Sequence, residues 1–144
     1  MTTSLPHVLI IDDNPGDIEL IRIAFEMAGI EAMLDTCHDG VDAIRRLDLA
    51  MQTGSLPALL LLDLNMPRAN GFEVLTFLHD QHLMEQLPVV VLSTSSQAED
   101  RRRCLALGAR EMFTKPESIH ELHRLIADLR RYLPLADVGT SRIG

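Results

Sequence analysis

Residues 59–71 read LLLLDLNMPRANG, four leucines followed at once by Asp63 and then by Pro67 and Gly71. Consecutive apolar residues bounded by turn formers are typical of a strand that is buried on both faces. An aspartate at the end of such a strand is usually a turn former or a helix cap, and a lone buried carboxylate is unfavourable. The stretch therefore predicts an inner strand and raises the question of which groups accompany Asp63.

Similar apolar runs recur along the chain, and residues with helical periodicity separate them. Gly29, Gly108 and Ser118 stand where helix ends are expected. Strands and helices that alternate in one small domain predict an α/β fold, a doubly wound parallel sheet of five strands with helices on both faces. The five runs are HVLII (7–11), EAMLDTC (31–37), ALLLLD (58–63), PVVVLS (88–93) and EMFTK (111–115).

Length and composition limit the classes of function. A chain of 144 residues that is 47% hydrophobic suits one domain with a single sizeable core. We expect that domain over residues 1–133 and an extended tail over residues 134–144, because Pro134 stops the last helical pattern. A net charge of -8 argues against nucleic acid or an anionic membrane as the main partner.

The expected compartment is the cytoplasm. No apolar stretch approaches the roughly 18 residues of a spanning helix, and the first residues lack the pattern of a secretion signal. Cys37 and Cys104 stand outside any CxxC pattern, so we expect them to be small packed residues in a reducing compartment.

Polar residues end four of the five predicted strands. Parallel strands bring their carboxyl ends to one edge of the sheet, and ligands of such folds bind in the crevice at that edge. Each residue alone also fits a solvated turn or an exposed lysine, so their combination is the informative observation. The set comprises Asp12 and Asp13, Asp63, Ser93 and Thr94, and Lys115.

Three carboxylates at this edge need compensating charge, because each close pair repels by roughly 4 kcal/mol at an effective dielectric constant of 20. The sequence offers the ammonium of Lys115 and a site for a hard cation, of which Mg²⁺ is favoured because it binds a few carboxylates and then a phosphate. A carboxylate in such a site can attack phosphorus. Ser93 and Thr94 could then donate hydrogen bonds to phosphoryl oxygens.

Four motifs give the chain its family resemblance: IIDDNPGD, LLLLDLNMPRANG, VVVLSTSS and FTKP, in this order. In this combination the chain resembles the receiver domains of bacterial two-component response regulators over about residues 7–133. The resemblance implies a flavodoxin-like (βα)5 fold. It also implies a signalling protein that is not an enzyme in the ordinary sense, because it catalyses only its own phosphorylation and dephosphorylation.

The resemblance also implies roles for individual residues. Asp63 would accept a phosphoryl group from the phosphohistidine of a sensor histidine kinase. Ser93 would move towards that group and Lys115 would pair with it. The implied Mg²⁺ ligands are Asp63, Asp13 directly, Asp12 through water, and the backbone carbonyl of Asn65.

Two positions depart from the family pattern. Met112, with Phe113 beside it, occupies a place where the family often has an aromatic residue that acts as a switch. Thr94 stands where a smaller residue is common, which would slow access to the phosphoryl group. The resemblance further implies a cis peptide bond between Lys115 and Pro116.

The DNPGD opening and the STSS run resemble stand-alone regulators of phytochrome-type histidine kinases. Such regulators often form homodimers through the fourth helix, the fifth strand and the fifth helix. Leu125 and Tyr132 widen the apolar stripe of the last helix, which fits a partner surface or simply the margin of the core. Residues 101–103, three arginines, fit interface pairing or a solvated helix face.

Three functions remain open from the sequence. The first is a switch that Asp63 phosphorylation drives between two conformations. The second is a phosphatase of the haloacid dehalogenase type, but such enzymes want a second aspartate as general acid where this chain has Asn65. The third is a binding module that has lost phosphorylation, against which the intact set of site residues argues.

Overall fold

The computed structural model describes residues 5–66 and 70–134. All five apolar runs form strands, and a helix follows each of them, as the sequence predicts. The predicted tail beyond Pro134, and Pro67, lie outside the described residues. The strands are β1 (His7–Ile11), β2 (Met33–Cys37), β3 (Leu59–Leu62), β4 (Val89–Ser93) and β5 (Glu111–Thr114). The helices are α1 (Pro15–Met27), α2 (Gly40–Thr53), α3 (Gly71–Asp80), α4 (Ala98–Ala106) and α5 (Ile119–Asp128), with a 3₁₀ turn at Leu129–Tyr132.

All strand pairs are parallel, and their order in the sheet is β2-β1-β3-β4-β5. This order confirms the flavodoxin-like, doubly wound fold. The chain reverses its direction of winding between β1 and β3, so the ligand crevice of this fold opens beside their carboxyl ends. Asp63 directly follows β3 and therefore borders that crevice.

Alternate residues of β3 face opposite layers of helices, because side chains alternate across a strand. Leu59 and Leu61 pack in the core under α1 and α5. Leu60 and Leu62 pack in the core under α2, α3 and α4. All four are at most 1% exposed, which explains why the strand reads as an unbroken apolar run.

The starts of α1 and α5 at the carboxyl edge are fixed by side-chain caps. Asn14 Oδ1 accepts a hydrogen bond from the Asp17 backbone N–H, which starts α1 directly after the Asp12 and Asp13 pair. Ser118, the predicted cap of the last helix, accepts a hydrogen bond from the Glu121 backbone N–H. These caps set where the first turns of α1 and α5 lie relative to the crevice.

The two cysteines pack as predicted, since Cys37 and Cys104 are both buried and free of disulfides. Cys104 is the buried residue of α4, whose other described side chains are exposed or half-buried. A helix anchored by so little buried surface is more easily displaced than its neighbours. In the described part of the chain, no helix has the length and apolar character needed to cross a membrane.

The expected cis bond between Lys115 and Pro116 is wrong for this structure. No peptide bond within residues 5–66 and 70–134 is cis. The trans isomer is the lower in energy for a bond that precedes proline. Lys115 nevertheless reaches the carboxylates at the end of β1.

Candidate functional site

Three carboxylates meet at the crevice between β1 and β3. Oxygens of Asp12, Asp13 and Asp63 all lie within 4.8 Å of one another. The Asp63 backbone N–H donates a hydrogen bond of 2.9 Å to the carbonyl of Ile11, which holds the ends of the two strands level. Asp12 is 2% exposed and Asp63 is 5% exposed, whereas Asp13 is open to solvent.

The ammonium of Lys115 compensates part of this charge. Lys115 Nζ lies 2.9 Å from Asp12 Oδ2 and 3.6 Å from Asp63 Oδ2. It also lies 2.7 Å from Oδ2 of Asp17, in the first turn of α1. The structure therefore brings Lys115 into the acid group named from the sequence and adds a fourth carboxylate to it.

Sequence reasoning missed Asp17 as a site residue. The signal was present, because Asp17 ends the DNPGD motif, but the motif alone does not show which way a first-turn side chain points. Its contact with Lys115 joins residues that are 98 positions apart in the chain. The packing of α1 against α5, the helix that follows Lys115, brings the two side chains together.

Burial raises the pKa of the Asp63 carboxyl to about 6, and the neighbouring charge of Asp12 adds to the rise while Lys115 opposes it. Burial by itself would lower the pKa of the Lys115 ammonium. Hydrogen bonds to Asp12 and Asp17 outweigh burial, so the pKa of Lys115 is raised. The lysine stays protonated, and Asp63 remains largely ionised at neutral pH.

The oxygens of Asp12 already have partners in the protein. Oδ1 accepts a hydrogen bond of 2.9 Å from the Asn14 backbone N–H, and Oδ2 faces Lys115. Oδ1 of Asp63 accepts a long hydrogen bond of 3.4 Å from the Asn65 backbone N–H. Asp13 is the exposed member of the group, so its carboxylate is the most accessible to an ion from solvent.

Two hydroxyl side chains, those of Ser93 and Thr94, lie at the end of β4. Ser93 is fully buried, and its Oγ accepts a hydrogen bond of 3.2 Å from the backbone N–H of Ser95. Thr94 is exposed, and its Oγ1 accepts a long hydrogen bond of 3.4 Å from Asn65 Nδ2. Thr94 therefore contacts the loop after β3, whereas the Ser93 hydroxyl is held by the loop after β4.

The residue at the aromatic switch position is enclosed. Met112 is 3% exposed and packs in the core under α2, α3 and α4, on the face of the sheet that also carries Val91. Ser93 continues the alternation of Val91 and so shares that face. Phe113 packs on the opposite face, against the core under α1 and α5. Phe113 therefore does not replace the missing aromatic ring beside Met112.

The loop after β3 closes tightly on the start of α3. A Cβ atom on Gly71 would lie 2.5 Å from the carbonyl oxygen of Asp63 and 2.7 Å from Cα of Leu64. Asn70 and Glu73 form a reciprocal capping box that fixes the same end of α3. Gly71 is thus required for the close approach of α3 to the backbone of Asp63.

The donor set fits a hard divalent cation. Carboxylates of Asp12, Asp13 and Asp63 converge within reach of one ion, and the fourth carboxylate, Asp17, shares a single ammonium with them. The group therefore keeps an excess of negative charge. Oxygen ligands with excess negative charge are those that Mg²⁺ and similar ions prefer.

The comparison with known families agrees with this geometry. Residues 8–127 match the response regulator receiver domain. The chain belongs to this family. The receiver domain has its acidic pocket at Asp12, Asp13 and Asp63, and domains of this family bind Mg²⁺ at such a pocket.

Curated relatives of this receiver domain include the probable methanogenesis regulatory protein FilR2 of Methanothrix harundinacea (strain 6Ac). The two are 34% identical over 126 residues, which cover 87% of this chain and 81% of FilR2. Several other relatives are transcriptional regulators, and the receiver domain spans about half of their length.

Solved structures similar to this receiver domain include phytochrome response regulators. The phosphorylated cyanobacterial phytochrome response regulator RcpA is similar with a TM-score of 0.79 and 28% identity, over 92% of this chain and 100% of RcpA. The Mn²⁺-bound form of the response regulator Rcp1 has a TM-score of 0.77 and 27% identity, over 91% of this chain and 96% of Rcp1.

Side chains on the face of α4, β5 and α5 have partners within the receiver domain. Tyr132 donates a hydrogen bond of 2.5 Å to Glu111 Oε2, which also pairs with Arg131. Arg101 donates a hydrogen bond of 2.9 Å to the carbonyl of Met112. Leu125 and Tyr132 both pack against the core under α1 and α5, as residues at its margin do.

Proposed function

We propose that this receiver domain accepts a phosphoryl group on Asp63 and switches conformation in response. One observation carries the proposal: a nearly buried carboxylate at the end of β3 lies 3.6 Å from an ammonium and within 4.8 Å of two further carboxylates. Such a group has the charge and the donors that phosphoryl transfer needs, since positioning and charge compensation supply most of the catalysis.

In the proposed step, an ionised oxygen of Asp63 attacks phosphorus in the phosphohistidine of a sensor kinase. The new O–P bond gives an acyl phosphate, and the P–N bond breaks with its electron pair going to the imidazole nitrogen, which takes a proton. With a pKa of about 6, Asp63 is about nine-tenths ionised at pH 7. Lys115, Ser93 and Thr94 are the proposed donors to the phosphoryl oxygens.

Mg²⁺ is the proposed cofactor, and when bound it supplies positive charge that neutralises the acids and the phosphoryl oxygens. The proposed ligands are Asp13 and Asp63 directly, the backbone carbonyl of Asn65, and Asp12 through water. The two protein contacts of the Asp12 carboxylate support its indirect role. The exposure of Asp13 supports direct ligation.

The proposed switch begins at Ser93. Its hydroxyl now accepts a hydrogen bond from the loop after β4, and a phosphoryl group on Asp63 would draw it away as a donor. To bring an equilibrium from 1:99 to even populations, the phosphoryl group must supply about 2.7 kcal/mol of differential stabilisation. One or two charge-assisted hydrogen bonds reach that value. The sparse anchoring of α4 makes it the element that moves.

The proposed phosphodonor is a sensor histidine kinase of the phytochrome type. The support is the similarity to RcpA, a cyanobacterial phytochrome response regulator. Phosphotransfer profiling against the sensor kinases of the source organism tests this partner. Preferential transfer from a phytochrome-type kinase is expected, and preference for an unrelated kinase would contradict the assignment.

The expected oligomer is a homodimer through α4, β5 and α5. Leu105 on α4 is 42% exposed and supplies apolar surface on that face. Leu105→Glu is expected to leave a monomer in light scattering at concentrations where the unmodified chain dimerises. Leu49→Glu is the matched control, because Leu49 is 60% exposed on α2, away from the proposed interface. A dimer that only the Leu49 variant abolishes would contradict this interface.

The direct test of the acceptor residue uses a small phosphodonor with Mg²⁺ and detection of acid-labile phosphate by intact mass. Wild-type protein and the control Asp80→Asn, changed at an exposed position at the end of α3, should gain one phosphoryl group. Asp63→Asn should gain none. Acid-labile phosphate on the Asp63 variant would remove the assignment.

A phosphatase acting on external substrates is the weaker alternative. Asn65 follows the proposed nucleophile at the place of a general acid, and an amide does not transfer protons there. Steady turnover of small phosphate esters by the purified chain would favour that alternative. A scaffold without phosphorylation would be favoured if the wild-type chain gained no phosphate in the same assay.

A further inference from the structure

The sequence contains a single lysine, Lys115, and its shortest contact is with Asp17. Lys115 Nζ lies 2.7 Å from Asp17 Oδ2 and 2.9 Å from Asp12 Oδ2, both within hydrogen-bond range. Its separation of 3.6 Å from Asp63 Oδ2 exceeds that range. Of the three carboxylates around the ammonium, the proposed phosphoacceptor is therefore the most weakly engaged.

Asp17 is held on a rigid element. Its backbone N–H donates a hydrogen bond of 3.1 Å to Asn14 Oδ1 at the start of α1. Ile18 and Ile21 anchor the same part of α1 in the core. The Asp17 side chain is 33% exposed and that of Lys115 is 16% exposed, so their contact is partly shielded from water. A carboxylate fixed in this way restrains the position of a flexible lysine.

We propose that Asp17 is a positioning residue that holds the Lys115 ammonium on the α1 side of the site until a phosphoryl group competes for it. The claim that a phosphoryl group competes for Lys115 rests on the proposed function. The claim that Asp17 positions Lys115 before phosphorylation rests only on the contacts of Lys115.

Two opposite consequences follow for ligands. While Asp17 shares the Lys115 ammonium, the ammonium stays beyond hydrogen-bond range of Asp63 and neutralises that carboxylate less completely, which leaves the acid group more attractive to Mg²⁺. Once a phosphoryl group is present, the same carboxylate competes with it for Lys115. Loss of the Asp17 charge should therefore weaken Mg²⁺ binding and strengthen binding of a phosphoryl mimic.

Charge removal anywhere near the site would act in the same directions, so the test needs a matched control. Glu19 lies two residues further along α1, is exposed, and is not among the ion-pair partners of Lys115 in the described part of the chain. Glu19→Gln removes the same charge from the same helix. Asp17→Glu keeps the charge on the helix and tests whether a carboxylate at this position rescues the behaviour of Asp17→Asn.

The experiment combines titration with nuclear magnetic resonance. Calorimetry measures Mg²⁺ binding, and then binding of beryllofluoride at saturating Mg²⁺. Protein labelled with ¹⁵N-lysine gives one side-chain ammonium signal and one backbone amide signal, because Lys115 is the single lysine. The amide spectrum of a second, uniformly ¹⁵N-labelled sample verifies that each variant is folded.

Asp17→Asn is expected to weaken Mg²⁺ binding by about three- to tenfold and to tighten beryllofluoride binding by a similar factor, the scale of losing one ordinary hydrogen bond at a partly exposed position. Its ammonium signal should shift and exchange faster with water in Mg²⁺-free buffer. Glu19→Gln should change each quantity by less than about twofold, as expected of an exposed charge, and Asp17→Glu should restore part of each change.

Equal effects of Asp17→Asn and Glu19→Gln on both titrations and on the ammonium signal would overturn the positioning role. A wild-type chain that gains no phosphate, while its ammonium signal still depends on Asp17, would overturn the proposed function and support the positioning role. The two ideas therefore fail on different measurements.

Discussion

The Ser95 hydroxyl donates a hydrogen bond of 2.5 Å to Asp100 Oδ2, and thereby ties the loop after β4 to the first turn of α4. The backbone N–H of the same Ser95 donates to the buried Ser93 Oγ. One short segment thus connects the proposed phosphoryl-binding hydroxyl to a helix with little buried surface. This connection offers a route to α4 that needs no aromatic residue at position 112.

Asp100→Ala should therefore loosen α4 without unfolding the domain. A hydrogen bond to a charged group contributes about 1.5 kcal/mol or somewhat more, which corresponds to roughly tenfold faster opening of the helix. Hydrogen exchange of the α4 amides measures this change. Glu99→Ala is the control, because Glu99 is an acid of the same turn that pairs with Arg102 instead. Equal protection of α4 in both variants would show that the Ser95 contact does not hold the helix.

The raised pKa of Asp63 predicts a specific dependence of stability on pH in metal-free buffer. The folded chain binds the Asp63 proton up to pH about 6, whereas the ordinary value is 3.8. The native state therefore holds more protons than the unfolded state in that window, and stability falls as the pH rises through it. The loss is about 3 kcal/mol for a shift of this size.

Asp63→Asn removes this titration, so the difference in unfolding free energy between variant and wild type isolates it. In urea unfolding with chelator, we expect the unfolding free energy of the variant to rise relative to that of the wild type, a gain that develops from pH 4 to pH 7. Saturating Mg²⁺ should reduce that gain, because the ion stabilises the folded state to which it binds. A difference that stays constant with pH would contradict the burial of an ionised Asp63.

Lys115→Met should destabilise the metal-free chain. Removal of the ammonium leaves Asp12 and Asp63 nearly buried without their cation. Loss of one partner from such a group costs about 3 to 5 kcal/mol. Urea unfolding measures the loss, and Mg²⁺ should recover part of it. Arg110→Met is the control. The guanidinium of Arg110 donates a hydrogen bond to the exposed carbonyl of Glu85, so its loss should lower the unfolding free energy by about 1 kcal/mol.

Gly71→Ala should distort the site as well as destabilise the fold. The added methyl group would meet the backbone of Asp63 and Leu64, which has little room to give. Overpacking of this kind costs about 1 to 3 kcal/mol. Calorimetry should show weaker Mg²⁺ binding, because the carbonyl of Asp63 must move.

Gly29→Ala separates strain from site distortion. Gly29 has a φ of 69°, where a side chain is strained, but no atom lies within 4 Å of an added Cβ. Gly29→Ala should lower the unfolding free energy by about 1 to 2 kcal/mol and leave Mg²⁺ binding unchanged. Normal Mg²⁺ binding by Gly71→Ala would show that α3 does not need this close approach to form the site.

The sequence by itself determined the order of strands and helices along the chain. It also determined the edge of the sheet at which the polar residues lie. Both follow from local chemistry: apolar runs that suit a strand buried on two faces, helical periodicity between them, and acids placed directly after strand ends. Parallel strands of one sheet bring such ends to the same edge. The edge shared by Asp12, Asp13, Asp63 and Lys115 was therefore predictable without coordinates.

Only the tertiary structure decided how the members of that group share their charges. Asp17 approaches Lys115 because α1 packs against α5, which brings together residues 98 positions apart. The hydrogen bond that holds Ser93 likewise depends on the path of the loop after β4. Local sequence patterns fix which face or edge a residue occupies, whereas distances of 2.7 Å and 3.6 Å from one ammonium depend on how separate elements pack.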